Sequence, residues 1–387
     1  MSFLHGQYFM EGSSGVRALP LKFSGVIALV GTSEDADVTK YPLNKNVICQ
    51  NDADLALLGA GWLKKAVELT WKMIKTRIII VRVAAGADDA AKAVNILGSL
   101  ADKEGVYALL CAKAETDYDP GLLVSELSEK IDIAKALGEI AGKAGAQAIV
   151  QCPDEYTVES TEYENAAAAK KYVLDIVDKN VYAVWPNKVK TDSAGTTFDA
   201  AVVTAALFVW TDDHFGGPWE SPSNQVIQPI FGTVPTVDFN PGDDSCTAND
   251  LNENHVNTII RDDGFRLWGN HTTTPGTSEQ WRFVTVKRVS DMFKKTIRAG
   301  VKWAQDRGIK KNFVSDVEAS VSGVIDDVKT AGGVLGGACW AEADDNSVTL
   351  IKQGKIKWKY KYGPVYPAEN MGFEENLTDE YIEEIFE

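Results

Sequence analysis

Arg261, Asp262 and Asp263 set a guanidinium beside two carboxylates, between apolar-rich runs at 256–261 and 265–270. Loops often carry catalytic charge clusters, so proton transfer or cation binding is one reading. Gly264 supports another. Asp-Gly between two apolar runs signals a tight hairpin, because glycine accepts the positive φ that such a turn needs. Solvated turn residues then account for all three charges.

The other candidates weaken in the same way. Residues 240–254 carry enough oxygen ligands for calcium, but not the ordered spacing of a calcium loop. Gly31-Thr32-Ser33 follows the apolar run 24–30, yet has neither the spaced glycines of a dinucleotide site nor Gly-Lys-Ser/Thr. The glycines at 332–337 could cradle a phosphate, or simply allow a turn and close backbone approach. His5, His214, His255 and His271 fit no metal or nucleophile motif, and no G-x-S-x-G or H-E-x-x-H is present. No catalytic, cofactor-binding or metal residue is assigned, and no enzyme activity is expected.

The 387 residues are 45% hydrophobic and 24% charged, enough for a large core in two or three domains. A net charge of -16 argues against a primary nucleic-acid binder. The first residues lack the basic and apolar regions of a signal peptide, and no apolar stretch approaches the ~20 residues of a membrane span. The five cysteines are scattered without C-x-x-C spacing, so they are expected reduced and mostly buried, in a chain made in a cytoplasm.

Two continuous apolar runs, 24–30 and 77–83, read as buried strands. Between them Leu58, Trp62, Ala66, Leu69 and Met73 recur at helical spacing. From 88 to 210 strand-like segments (107–112, 146–151, 181–185) alternate with helical ones (131–144, 164–178, 197–210), implying a parallel or mixed sheet with crossover helices. A ligand would be sought at the strand C-termini. Lys113, Glu115, Cys152, Asp154, Asn187 and Lys188 lie there without forming a known constellation. An α/β enzyme or nucleotide-binding protein centred on this middle module is the alternative reading.

Residues 212–254 read as a long loop. Val286, Val289, Phe293, Ile297, Val301 and Ala304 predict an amphipathic helix with Lys287, Arg288, Lys294, Lys295, Arg298 and Lys302 on its polar face. A second helix buries Val314, Val317, Val321, Val324, Ile325 and Val328. At 355–362, Ile356, Trp358, Tyr360 and Tyr362 alternate with lysines, predicting a half-buried strand with one basic face. Pro364 and Pro367 end it. A short extended piece at 371–377 and a terminal helix from Thr378 to Phe386 follow.

Several of these segments resemble, in order, contractile tail sheath proteins of myophages and phage-tail-like bacteriocins. They are His5-Gly6, residues 25–37, Tyr41-Pro42-Leu43-Asn44, 258–272 with its D-G-F-R-L-W-G pattern, 289–303, 332–340 and 354–370. The resemblance implies an α/β chain: an N-terminal arm (1–20), a discontinuous α+β core (21–90 and 245–365), an inserted outer α/β domain (91–244) and a C-terminal arm (366–387). It also implies stacked hexameric rings of this chain around an inner tail tube protein, with baseplate and tail terminator proteins as further partners. Such a particle is a virion tail or bacteriocin, assembled in the bacterial host cytoplasm, with no cofactor. Gln7, Tyr8, Phe9, Met10 and Glu11, and Met371, Phe373 and Leu377, would be arm strands added to a neighbour. Ile356, Trp358, Tyr360 and Tyr362 would lie in the receiving sheet. Arg307, Lys310, Lys311 and Lys329 are candidates for tube contact.

Overall fold

The computed structural model describes residues 21, 25–274 and 280–379. The strands are β1 (Ile27–Thr32), β2 (Asn46–Cys49), β3 (Ile78–Val83), β4 (Leu122–Ser125), β5 (Gln147–Gln151), β6 (Glu155–Val158), β7 (Thr161–Glu164) and β8 (Val181–Trp185). They continue as β9 (Lys188–Lys190), β10 (Thr197–Asp199), β11 (Gly232–Val234), β12 (Asn257–Arg261), β13 (Phe265–Trp268), β14 (Val334–Trp340) and β15 (Lys359–Pro364). The helices are α1 (Asp52–Ala56), α2 (Trp62–Met73), α3 (Asp89–Leu97), α4 (Ala112–Thr116), α5 (Ile131–Ala144) and α6 (Asn165–Ile176). After them come α7 (Ala200–Phe215), α8 (Thr247–Glu253), α9 (Val284–Gly300), α10 (Lys311–Thr330) and α11 (Val348–Lys352).

One eight-stranded sheet, in the order β13-β12-β8-β5-β4-β1-β3-β2, organises the chain. From β3 to β12 all pairings are parallel, while β2 and β13 close the two edges antiparallel. Every residue of β1 and β3 is buried, as their unbroken apolar runs require of strands covered on both faces. One face is packed by α2 and α7, the other by α3, α5 and α6. Ile133, Leu137 and Ile140 of α5 are fully covered, each contributing about 1.5–3 kcal/mol. α7 is apolar on nearly all sides and buried along most of its length, as such helices must be.

The sheet draws on every part of the chain between 27 and 268. Strands from 21–90, 91–244 and 245–365 all lie in it. The central strand β4 was not foreseen. In place of the strand expected at 107–112 there is a 3₁₀ helix, Gly105–Cys111, running into α4 at Ala112; it buries Val106 and Leu109 together, matching the three-residue period of that helix. Part of the 212–254 loop is the helix α8. The hairpin forms as expected, with Asp263 at φ 45° and Gly264 at φ 114° and Arg261 paired with Phe265.

A second unit is built on α9 and α10. Val289, Met292 and Phe293 of α9 meet Val324, Ile325 and Val328 of α10, Trp219 and Val334. α10 covers one face of the antiparallel ladder β14–β15. Val317, Val321, Val324, Ile325 and Val328 are buried as the periodicity predicts, whereas Val314 is half-buried.

Candidate interface sites

The ladder β14–β15 is a two-stranded sheet among the described residues, so both strands present an open edge. The strand expected at 355–362 begins only at Lys359, opposite Trp340. Asn346 explains the late start: its side chain accepts from Lys357 N (2.7 Å) and donates to Lys357 O (2.9 Å). That takes the backbone groups a ladder would use. Tyr360 and Tyr362 are therefore in the strand, Tyr362 packing on Phe293 at 4.7 Å. Ile356 and Trp358 lie before it.

The chain after β15 crosses back to the large sheet. Tyr366 packs against Phe283 at 5.8 Å. Glu369 Oε1 lies 2.8 Å from His271 Nε2, Glu369 Oε2 accepts from Arg282 Nη2 at 2.9 Å, and Asn270 Nδ2 donates to Oε1 at 3.4 Å. Burial pushes the Glu369 carboxyl up, but the His271 hydrogen bond and the nearby His271 and Arg282 charges outweigh it, holding the group below its usual range. His255, 5.0 Å from the His271 ring, is lowered to about 4 by burial first, then by electrostatic repulsion from the neighbouring His271 and Arg282 side chains. From 371 to 379 the chain has neither helix nor strand. Met371, Phe373 and Leu377 are 69%, 90% and 93% exposed. Gln7 to Glu11, and the helix expected up to Phe386, fall outside the described residues.

The expected tube-contact residues are all exposed but not all together. Arg307, Lys310 and Lys311 cluster at the start of α10. Lys329 lies at its other end, about 27 Å away at 1.5 Å per residue.

At the strand C-termini the candidate polar residues are taken up by contacts within the chain. Glu126 occupies the place where a phosphate would be sought, accepting from Thr32 N and Thr32 Oγ1, both at 2.8 Å. Lys113 pairs with Asp119 and Lys188 with Asp199, while Glu115 accepts from Asn46. Asp154 accepts from Trp185 Nε1 at 2.9 Å, and burial pushes the Cys152 thiol up. A nearby hollow of about 440 Å³ has Glu129, Asp154 and Glu155 in its lining, with Lys130 as its one cation. Arg261, the last residue of β12, and Asp262 and Asp263 in the turn are all exposed. Among the described residues no three of His, Cys, Asp and Glu are grouped to hold a metal, and no helix is long and apolar enough to cross a membrane. All five cysteines are free, with Cys49, Cys152 and Cys246 buried.

Residues 101–273 match the phage tail sheath protein central domain, and residues 277–378 the phage tail sheath C-terminal domain. A prophage major tail sheath protein of Pseudomonas aeruginosa (strain UCBPP-PA14) is 34% identical over 395 residues, covering 100% of both chains. The chain belongs to the phage tail sheath protein family.

The major tail sheath protein of Serratia phage KSP20 is 31% identical, over 100% of this chain and 98% of that one. Two solved structures share the fold of this sheath protein. One is the contracted PVC sheath complex of an extracellular contractile injection system, with a TM-score of 0.72 at 16% identity over 98% of this chain and 99% of that one. The other is the contracted helical sheath of the anti-feeding prophage, with a TM-score of 0.70 at 15% identity over 98% and 100%. As a tail sheath protein, the chain is a structural component of a phage tail or tail-like particle.

The matched C-terminal domain is the α9–β15 unit with its tail, and charges missed by the helical pattern join it to the sheet. Lys287 and Arg288, expected on the polar face of α9, are buried. Arg288 Nη1 donates to Asp212 Oδ1 of α7 at 2.8 Å, and Arg288 Nη2 to Asp212 Oδ2. Lys287 reaches the Ala146 carbonyl at 2.5 Å and Lys295 that of Pro120 at 3.1 Å. Burial lowers both amines, Lys295 to about 8. Asp212 is the carboxylate that closes the buried stretch of α7, and a carboxylate so placed needs a cation to meet it.

Proposed function

We propose that the chain is the repeating subunit of a contractile sheath, stacking in six-fold rings around an inner tube. Contraction repacks the subunits and drives the tube through a cell envelope. The observation that carries this is the pairing of an open two-stranded ladder with an exposed apolar tail in one chain. A two-stranded sheet is marginal alone and an open edge recruits further strands. The tail residues Met371, Phe373 and Leu377 are largely exposed among the described residues. Strand addition satisfies both: residues 7–11 and 371–377 of neighbours extend the β14–β15 ladder. Backbone hydrogen bonds in the arms then keep the mesh whole while the rigid sheet units rotate.

The work comes from interfaces that switch between discrete packings, a modest gain per subunit summed over many. No nucleotide, metal or catalytic residue enters this scheme. The tube protein, baseplate and terminator are the partners, with Arg307, Lys310 and Lys311 turned to the tube. Assembly takes place in the host cytoplasm. Electron microscopy of the purified chain, alone and with its tube protein, tests the reading. Six-fold rings or striated tubes with two striation spacings are expected. A monomer that never polymerises, even with the tube, overturns it.

A further inference from the structure

The two edges of the β14–β15 ladder are not alike. On the β14 edge, Cys339 N donates to Ser322 Oγ at 3.3 Å, and Ala341 N, just past the strand, donates to Glu318 Oε1 at 2.7 Å. Both acceptors belong to α10, half-buried and one helical turn apart. Their spacing fits the strand. Residues four apart rise about 6 Å along a helix, and alternate residues of an antiparallel strand lie about 6.8 Å apart. With Glu318 opposite Ala341 and Ser322 opposite Cys339, α10 runs antiparallel to β14. Ile325 continues the line beside Gly337, where a Cβ would lie 3.0 Å from the Ile325 side chain.

The β15 edge has no such cover. Cys339 is paired with Tyr360 and Gly337 with Tyr362. Since Cys339 turns its N–H to α10, its pair with Tyr360 is one without ladder hydrogen bonds, and Tyr360 turns its own N–H and C=O to the far side. Tyr362, two residues on, faces the same way. Among the described residues no side chain is hydrogen-bonded to the backbone of either tyrosine.

We infer that Glu318 and Ser322 guard the β14 edge of the free chain, so that an added strand takes the β15 edge first and the β14 edge only once α10 releases it. A ladder with both edges bare pairs with any strand it meets. The guard costs the assembly little, because carbonyls of the incoming strand replace Glu318 Oε1 and Ser322 Oγ as acceptors one for one, and the released side chains return to water. The inference rests on the sheath reading and adds to it an order of strand addition and the residues that set it.

The test compares the full chain unaltered, with Glu318→Ala and Ser322→Ala together, and with Glu318→Gln, which keeps an acceptor oxygen and loses only the charge. Amide hydrogen exchange on the dilute, unassembled chain is expected to be slow at Cys339 and Ala341 in the unaltered and Gln chains. In the double-Ala chain it is expected to be about ten-fold faster, as for the loss of a hydrogen bond of modest net worth. Unchanged exchange along α10 and matched thermal unfolding confirm that the helix stays seated; should it loosen, Glu318→Ala alone is read at Ala341. Exchange indifferent to these substitutions overturns the guard. The concentration at which each chain polymerises, read by sedimentation, is expected to fall about ten-fold for the double-Ala chain and to stay unchanged for the Gln chain. A fall shared by the Gln chain assigns the effect to charge, and a rise in the double-Ala chain makes the two side chains supports of assembly; either overturns the proposal. Polymers with equal thresholds sink the guard alone, whereas absence of polymers from every chain, even with the tube protein, sinks the sheath reading as well.

Discussion

Arg288 on α9 holds Asp212 on α7 through two parallel hydrogen bonds, with both side chains buried. The pair ties the C-terminal unit to the sheet, and the Phe208 ring lies 5.2 Å from the guanidinium. Arg288→Met strands a buried carboxylate and is expected to cost about 3–5 kcal/mol, while Arg288→Met with Asp212→Leu recovers most of it. Denaturant unfolding of the two single variants and the double variant measures the difference. Equal losses in single and double variants would show that the ion pair is not the cause.

The strap at Glu369 is expected to loosen in acid. His255 is held near 4 against an ordinary 6.5, so between those values the unfolded chain binds the extra proton. Stability is therefore lost as pH falls from 6.5 toward 4. Glu369 is also depressed; its contribution is present above the ordinary carboxylate range and disappears as pH falls through the lowered value. Thermal unfolding between pH 7 and 4 reads the combined effect, and His255→Gln flattens the upper part of the curve. Glu369→Gln at neutral pH speeds proteolysis in 366–379 while the sheet stays protected from hydrogen exchange.

Gly269 sits at φ 136°, where a Cβ would lie 2.4 Å from Asn257 Oδ1 and 2.5 Å from Asn252 Oδ1. Asn257 is buried and donates to the carbonyls of Ala183 and His271, both at 2.9 Å. Gly269→Ala meets backbone strain and a disrupted polar network together, and is expected to cost about 2–4 kcal/mol. The denaturation midpoint should fall without a change in slope.

Charge reversal at Lys310 and Lys311 is expected to weaken co-assembly with the tube protein while leaving thermal unfolding within about 0.5 kcal/mol, as for exposed substitutions. Lys329→Glu, at the far end of α10, should weaken it less. Sedimentation of sheath with preformed tubes separates the two. Unchanged co-sedimentation of the Lys310/Lys311 variant would remove that end of the helix from the tube interface.

Much of the fold is legible wherever its cause is local. The unbroken runs of β1 and β3, the boundaries of α5, the Asp263-Gly264 turn and the inward valines of α10 all follow from spacing within one segment. So does the exclusion of known catalytic motifs, since their spacing is itself a sequence property. The order of segments that resemble sheath proteins was legible too, and the family follows from it.

What spacing cannot carry is which segments become neighbours. β4 has only four residues, yet it lies between β1 and β5 at the centre of the sheet, where it makes one hydrogen-bonded layer of strands far apart in sequence. Lys287 and Arg288 look solvated on a helical wheel. They are buried because Ala146 and Asp212, 141 and 76 residues away, come to meet them. The same holds for the Lys359 start of β15, set by the Asn346 side chain, and for the β14 edge, met by Glu318 and Ser322. Periodicity reports which face of a segment seeks burial; the partner that buries it, and the free energy of a charge brought along, depend on distances that only the folded chain defines.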